Sequence, residues 1–185
     1  YQEYGHLRVL DIGVGDGRAL LPALTPNIAH LDLVEPSAPM LESLCQQLER
    51  QNIAYQAFRL PVQEFITTDN EPRDLIQATF SLQSVPPEER PPLFRWLREY
   101  GSRLLLAEFD VPQFSDMYAP KRVEYILNRY EKGLAEYPGD EIAAQGFLLP
   151  VMFGYFDRSR ARTNYEQPLQ TWIEECRGAG FTTIR

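Results

Sequence analysis

Short apolar runs alternate with amphipathic stretches over the first 110 residues of the chain. The runs are rich in Leu, Ile and Val, as is typical of strands buried on both faces of a parallel sheet. Five strands are predicted, at residues 7–12, 29–34, 53–60, 74–82 and 103–109. Helices are predicted at residues 18–25, 37–51 and 90–100. This alternation predicts an α/β fold with helices on both faces of a mostly parallel sheet.

The second and third of these helices have apolar stripes at helical spacing, and Ser37 stands at the N-cap position of the second. The positions predicted to face the sheet are Met40, Leu41, Leu44, Leu48, Leu93, Phe94 and Leu97.

The regular alternation ends after Asp110. A region rich in aromatic and charged side chains follows, with one helix predicted at residues 118–137. A last helix at 168–177, closed by Gly178, and a sixth strand at 181–184 complete the pattern. Ligands of open α/β sheets bind outside the carboxyl ends of the strands, so an insertion there is expected to shape a substrate pocket.

The predicted organisation is one domain over residues 1–185, with a core of 1–110 and 168–185 and a mainly helical insertion of about 111–167. The chain begins at Tyr1 without an initiator Met and stops at Arg185 within a predicted strand. The expectation is therefore a domain that belongs to a longer chain.

The charge and cysteine content exclude several classes of partner. The chain has 26 acidic and 18 basic residues and no cluster of Lys and Arg, which argues against nucleic acid. No apolar run reaches the length of about 18 residues that a membrane span needs. Cys45 and Cys176 lie far apart on apolar helix faces, which indicates reduced thiols and a cytoplasmic protein. Together with His6 and His30 they give no metal-ligand spacing, so no metal is expected.

The stretch VLDIGVGDGRAL, residues 9–20, places Gly13, Gly15 and Gly17 where the first strand turns into a helix. Glycine permits positive φ and lets backbone amides approach a ligand closely. A dinucleotide fingerprint would need its third glycine at Arg18, and a phosphate loop would need Gly-Lys-Ser/Thr. Neither is present, so the spacing favours a different nucleoside ligand.

Carboxylates accompany these glycines. Asp11 and Asp16 lie in the same stretch and suit a ligand with a cationic amine better than a pyrophosphate. Glu35 ends the second strand, 18 residues after Gly17, where a carboxylate accepts hydrogen bonds from both hydroxyls of a ribose. Together these residues predict a site for a nucleoside that carries an amine.

At this point the sequence resembles a known family. VLDIGVGDGRAL and LDLVEPSAPML resemble motifs I and II of the class I S-adenosylmethionine-dependent methyltransferases, and YGSRLLLAEFD resembles a later part of that fold. The resemblance covers roughly residues 7–110 and 168–185 at fold level. It implies a three-layer αβα Rossmann-like fold with S-adenosylmethionine as cofactor and S-adenosylhomocysteine as product. It is specific for the cofactor class and not for the substrate.

The resemblance also implies roles for residues around the first two strands. Asp11 and Asp16 would help to hold the methionine amine, directly or through water, and the three glycines would let the loop pass under the cofactor. Glu35 would take the ribose hydroxyls, with Pro36 and Ser37 flanking the adenosine.

Further roles are implied at the ends of the third and fourth strands. The family often has an acidic residue that contacts the adenine amine, but Arg59 stands at that place. A backbone contact near Leu60 is expected instead, with Gln63 or Glu64 as the alternative. DLIQATFSLQSVP resembles the stretch whose carboxyl end faces the methyl group, with Thr79 and Ser81 expected at the cofactor and Gln83 at the reacting groups. Many relatives carry a histidine near the place of Gln83.

Methyl transfer mainly requires that a nucleophile be held in line with the methyl carbon and that water be excluded. His6 and His30 lie at the amino edge of the sheet and are expected to be structural. The predicted catalytic residues are Gln83, Asp110, Tyr155 and Tyr165, and the further candidates for substrate contact are Glu108, Asp157, Asn164 and Glu166.

The leading hypothesis is a methyltransferase acting on O, N or C of a small-molecule or carrier-tethered biosynthetic intermediate, with neighbouring domains of a larger enzyme as candidate partners. Aminopropyl transfer on the same fold is one alternative. A non-catalytic module that binds cofactor or a partner protein is another. Dehydrogenase function ranks last because Arg18 occupies the place of the third glycine.

Overall fold

A computed structural model of the chain describes residues 5–116, 118–157, 159 and 163–184. The strands are β1 (Leu7–Ile12), β2 (Ile28–Val34), β3 (Gln56–Phe58), β4 (Leu75–Thr79) and β5 (Leu104–Ala107). The α-helices are α1 (Ala38–Arg50), α2 (Val62–Thr68), α3 (Arg90–Tyr100), α4 (Pro120–Glu136), α5 (Leu149–Gly154) and α6 (Leu169–Gly178).

All five strands are parallel and stand in the order β3-β2-β1-β4-β5. The chain therefore builds the sheet outward from β1 in one direction and then, starting with β4, in the other. Asp11 on β1 is in register with Leu33 on β2 and with Gln77 on β4. Strand order reverses at this point, which is where open α/β sheets bind their ligands.

The apolar strands are explained by burial on both faces of the sheet. Leu10 and Ile12 of β1 pack into a cluster with apolar residues of α2, α3 and α6. Leu7 and Val9 of the same strand face the other way, into a cluster with α1. The predicted three-layer α/β architecture is confirmed.

Several predicted elements have the expected bounds and others do not. β1 and α3 begin and end at the predicted residues. The helix predicted at 18–25 is only a 3-10 turn, Leu21–Ala23, because Pro22 and Pro26 lack backbone N–H donors. Helix α2 was not predicted; it begins directly after Pro61, the residue that follows the predicted third strand.

The sixth strand predicted at 181–184 is wrong, because those residues form no ladder among the described residues. Gly180 turns the chain with φ +97°. Phe181 then packs against the core, and the Arg98 guanidinium lies 5.9 Å from its ring centroid. Met40 also departs from prediction, since it is 50% exposed and not part of the buried stripe.

By its contacts the chain forms two compact units, residues 1–111 with 163–185, and residues 112–162. The second unit contains α4, a π-helix (Ile142–Leu148) and α5. Within it Ile126 of α4 is buried, and the Phe114 and Tyr125 rings lie 5.5 Å apart. The candidate site residues described next lie in the first unit, with Tyr155 as the exception.

Candidate active site

The loop after β1 carries three glycines with positive φ: +66° at Gly13, +58° at Gly15 and +83° at Gly17. A Cβ on Gly13 would lie 2.3 Å from Cβ of Ser81, and a Cβ on Gly17 would lie 2.4 Å from Cδ1 of Leu44. A Cβ on Gly15 would meet only the sulfur of Met40, at 4.0 Å. Two of the glycines are thus required by packing, and Gly15 is the one that leaves open space.

The Glu35 carboxylate ties the end of β2 to this loop. Its Oε2 accepts a hydrogen bond from the backbone N–H of Gly15 at 2.9 Å, and its Oε1 accepts one from Ser37 at 2.8 Å. Each carboxylate oxygen keeps a second lone pair for a ligand. Ser37 precedes α1 and makes no side-chain cap, and its own backbone N–H is the donor to Glu35. The carboxylate is therefore fixed in position before any ligand arrives.

Asp11 lies beneath the loop and is 2% exposed. Its Oδ2 accepts a hydrogen bond of 2.8 Å from Nε2 of Gln77 on the neighbouring strand β4. Burial raises the pKa of Asp11 to about 7, and the hydrogen bond from Gln77 acts against that shift. A cation placed near the Asp11 carboxylate would favour its charged form and lower its pKa.

The other residues predicted at the cofactor have different surroundings. Asp16 is partly exposed and accepts a hydrogen bond of 3.0 Å from Nε of Arg18. Pro36 is exposed in the bend after β2, and Leu60 is half-buried against the core. Thr79 is the last residue of β4. Their predicted roles stay predictions.

The carboxyl ends of β4 and β5 are joined by side chains. Ser81 packs against Gly13, and its hydroxyl donates a hydrogen bond of 2.7 Å to the carbonyl of Ile12 on β1. Glu108, directly after β5, accepts hydrogen bonds through Oε1 from the backbone N–H of Leu82 at 2.7 Å and of Gln83 at 3.2 Å. This segment therefore lies beside the glycine loop and is held by Glu108.

Burial raises the pKa of Glu108 to about 6, against the effects of the Gln83 and Leu82 N–H groups and the Arg90 charge. Arg90 is fully buried at the start of α3. It donates to the carbonyls of Val85 and Tyr165, and its guanidinium lies 4.2 Å from the Trp172 ring centroid. Arg90 thus links the segment after β4 to the segment before α6.

The structure brings Gln83 and Tyr165 together, since the Tyr165 N–H donates to the Gln83 carbonyl at 2.7 Å. Asp110 accepts a hydrogen bond of 2.8 Å from the N–H of Leu169 and so serves the amino end of α6. Tyr155 belongs to the unit of residues 112–162, where Arg129 lies 5.7 Å from its ring centroid.

An aromatic pair stands at the same ends of β4 and β5. Phe80 and Phe109 stack with ring centroids 4.4 Å apart and 23° between the planes. Both rings are exposed, and Phe80 has a φ of +53°, which is rare for a bulky residue. Strained backbone at the edge where ligands bind is typical of functional sites.

Among the described residues, no group of three His, Cys, Asp or Glu side chains lies close enough together to hold a metal ion. Cys45 and Cys176 are free thiols, and burial raises the pKa of Cys176 to about 11.

No helix in the described part of the chain has the length and apolar character of a membrane span.

Three residues of the site were not predicted. They are Gln77, Phe80 and Arg90, none of which was assigned a role from the sequence. Gln77 is a polar residue among apolar neighbours in a buried strand. This pattern could have indicated a polar partner on a neighbouring strand, because a buried amide needs one.

The fold and the site define a class: a doubly wound α/β domain with a glycine loop after its first strand and a buried carboxylate directly after its second. Comparison with protein families then matches residues 9–101 to the methyltransferase domain family. The chain belongs to this family, and the resemblance to class I S-adenosylmethionine-dependent methyltransferases is confirmed. The predicted cofactor class, S-adenosylmethionine, is supported in the same way. No curated protein matches the chain.

Solved structures share the fold at low identity. The YcgJ protein of Bacillus subtilis is 16% identical with a TM-score of 0.61, and the match covers 95% of this chain and 62% of that one. The cyclopropane synthase MmaA2 of Mycobacterium tuberculosis is 14% identical with a TM-score of 0.63, covering 98% and 57%. The phosphoethanolamine N-methyltransferase 2 of Haemonchus contortus is 16% identical with a TM-score of 0.60, covering 98% and 34%. The chain thus spans less than two thirds of the length of each.

Proposed function

We propose that the chain binds S-adenosylmethionine between the glycine loop and the end of β2 and transfers its methyl group to a small-molecule or carrier-tethered biosynthetic intermediate. The observation that carries this proposal is the Glu35 carboxylate, which is held by the N–H groups of Gly15 and Ser37 on either side. A carboxylate fixed in this way is preorganised for the two hydroxyls of a ribose.

The residues present fit this cofactor. Gly15 leaves open space above the loop, which the Cβ of any other residue would fill. Two carboxyls of the site, Asp11 and Glu35, are buried acceptors that suit an amine and a ribose. Arg18, the basic side chain of the loop, is exposed and paired with Asp16. The site therefore offers acceptors to a cationic nucleoside and little to a pyrophosphate.

Each side chain has a definable part in this function. When bound, the cofactor supplies a sulfonium methyl group that is electrophilic without further activation. Glu35 would fix the ribose, and the charge of Asp11 would favour the methionine amine. Ser81 keeps the end of β4 against Gly13. This contact sets the distance between the cofactor loop and the place where the molecule that receives the methyl group would bind. The main contribution of the chain is thus alignment.

The binding site for the methyl acceptor is proposed at the carboxyl ends of β4 and β5, where Gln83, Asp110 and Tyr165 lie. Tyr155 lies in the unit of residues 112–162, and its predicted role stays a prediction. The similar structures include a cyclopropane synthase and a phosphoethanolamine N-methyltransferase, so one fold serves different acceptors. Neighbouring domains of a larger enzyme stay candidate partners, and a cytoplasmic location stays a prediction.

Calorimetric titration with S-adenosylmethionine, and with NAD⁺ as the competing nucleotide, tests the cofactor assignment. We expect binding of S-adenosylmethionine and none of NAD⁺. Glu35→Ala should weaken S-adenosylmethionine binding by about tenfold or more, because two charge-assisted hydrogen bonds to the ribose are lost. Glu42→Ala is the matched control, since Glu42 is exposed on the neighbouring helix α1. Unchanged affinity in Glu35→Ala would show that the site is elsewhere.

A further inference from the structure

Two buried oxygens at the ends of β4 and β5 accept no hydrogen bond within the described part of the chain. They are Oε2 of Glu108 and Oε1 of Gln83. Buried polar atoms nearly always have a partner, and leaving a charged acceptor without a donor is costly. A donor that is not part of the described chain is therefore expected at this place.

The remaining polar atoms of both side chains are already engaged. Oε1 of Glu108 accepts the backbone N–H groups of Leu82 and Gln83. Nε2 of Gln83 donates to the Phe80 carbonyl at 3.0 Å. These contacts fix Gln83 in the turn after β4 and hold Glu108, at the end of β5, against that turn, so their unpartnered oxygens are the atoms that remain for a ligand. Both are acceptors, and the ligand must therefore supply hydrogen-bond donors.

The aromatic pair lies at the same two strand ends, since Phe80 follows β4 and Phe109 follows β5 by two residues. The Phe80 N–H donates to the Ala107 carbonyl at 2.8 Å, and Phe109 follows Glu108 in sequence. The exposed, stacked rings of Phe80 and Phe109 offer π faces, which attract cations as well as apolar groups. We name Phe80, Gln83, Glu108 and Phe109 the strand-tip cluster.

Acceptor oxygens, a carboxyl and aromatic faces together select an organic cation with N–H donors. The formal charge of −8 on the chain also favours a cationic ligand over an anionic one. Building on the proposed function, we propose that the strand-tip cluster binds the amino group of the methyl acceptor, so that the acceptor is an amine. The amino group donates to Glu108 and Gln83, and the carbon skeleton lies against the rings. For transfer the bound ammonium gives one proton to Oε2 of Glu108. The nitrogen lone pair freed in this way forms the bond to the methyl carbon while the carbon–sulfur bond breaks, and S-adenosylhomocysteine leaves with that electron pair.

Three probes of equal chain length test this proposal: hexylamine, hexanol and hexanoate, each titrated into the ¹⁵N-labelled protein at neutral pH. The readout is the chemical shift of the Gln83 side-chain amide and of the Leu82 backbone amide. We expect saturable shifts with hexylamine, weaker ones with hexanol and none with hexanoate. Equal responses to all three probes would indicate apolar contact or ordered water only, and would overturn the proposal.

Variants separate the cluster from a general charge effect. Glu108→Gln keeps an oxygen for the Leu82 and Gln83 amides but removes the charge, and it should weaken hexylamine binding about tenfold. Gln83→Leu, which removes the second oxygen, should also weaken it. Glu88→Gln is the matched control, because it removes an exposed carboxylate from the nearby 3-10 turn Pro87–Glu89. Unchanged hexylamine affinity in Glu108→Gln would overturn the proposal.

Hexylamine binding is read on the free protein and again with S-adenosylhomocysteine present. The cofactor assignment is tested separately by calorimetry. A protein that binds S-adenosylmethionine but shows no selective hexylamine response retains the proposed function and loses the amine proposal. A protein that binds hexylamine at the strand-tip cluster but does not bind S-adenosylmethionine retains the amine site and loses the proposed function.

Discussion

Glu35 and Gly15, twenty positions apart in sequence, are joined by a hydrogen bond of 2.9 Å between the Glu35 carboxylate and the Gly15 backbone N–H. The bond connects the end of β2 to the turn after β1. Because Gly15 is also the glycine with open space around its Cα, the same contact places an acceptor beside the free volume. One pair of residues thus provides the open space and the fixed hydrogen-bond acceptor that the proposed nucleoside site requires.

The glycine loop gives a first prediction, a contrast between Gly13→Ala and Gly15→Ala. Both variants force a side chain into positive φ, at a cost of about 1 kcal/mol. Gly13→Ala also places a methyl group against Ser81, so its free energy of unfolding should fall by about 3 kcal/mol or more. Urea unfolding measures both. Gly15→Ala should keep most of its stability and lose S-adenosylmethionine affinity; equal stability losses would contradict this division of roles.

Asp11 gives a prediction about pH. Its pKa in the folded chain is about 7 and its ordinary value is 3.8, so ionisation of the buried group destabilises the free protein as pH rises through about 7. That difference corresponds to at most about 4 kcal/mol. Asp11→Asn keeps an oxygen for Gln77 and should raise the free energy of unfolding at about pH 8, and less at about pH 5.

Thermal or urea unfolding of the free protein at the two pH values checks this. Asp16→Asn is the control, because it removes a partly exposed carboxylate from the same loop. If Asp11→Asn gains no more stability at the higher pH than at the lower one, the buried carboxylate is not the destabilising group.

Much of this fold follows from local sequence, and the exceptions follow from contacts between distant residues. β1 and α3 were predicted with their bounds because each has a strong local pattern, an apolar run in one and an apolar stripe in the other. Glu35 was predicted from its position at the end of a strand. The partner of Asp11 was not, since Gln77 is 66 residues away and depends on the register of β1 with β4.

Arg90 shows a second limit of prediction from local sequence. A charged residue at the start of a helix is expected at the surface, but this one is fully buried because carbonyls and a Trp ring surround it. Met40 shows the converse: helical spacing places it with the buried stripe of α1, yet the loop beside Gly15 leaves it half exposed. In both cases the environment is built by other segments.

Arg90→Met is predicted to destabilise the chain. The variant removes the donors to the Val85 and Tyr165 carbonyls and leaves buried acceptors without partners, which should cost about 3 kcal/mol or more. Arg95→Met on the same helix is the control, because Arg95 is exposed and should change the free energy of unfolding by less than about 0.5 kcal/mol. Equal effects in urea unfolding would show that Arg90 is not the link inferred here.

Phe80 gives a prediction that reverses the usual order of stability. Replacing a residue by Gly normally destabilises more than replacing it by Ala, but Phe80 has a φ of +53°. Phe80→Gly relieves the strained backbone and Phe80→Ala does not, while both lose the stacking on Phe109. Phe80→Gly should therefore be more stable by about 1 kcal/mol. A more stable Phe80→Ala in urea unfolding would mean that the positive φ carries no strain.

The central claim is that the cofactor binds between the glycine loop and the end of β2. Titration of the ¹⁵N-labelled protein with S-adenosylmethionine, read at the backbone amides of Gly15 and Ser37, tests it most directly, because both donate to Glu35. We predict that these two amides shift and saturate together with the calorimetric binding curve. Binding that leaves both amides unmoved, or no binding at all, would contradict the claim.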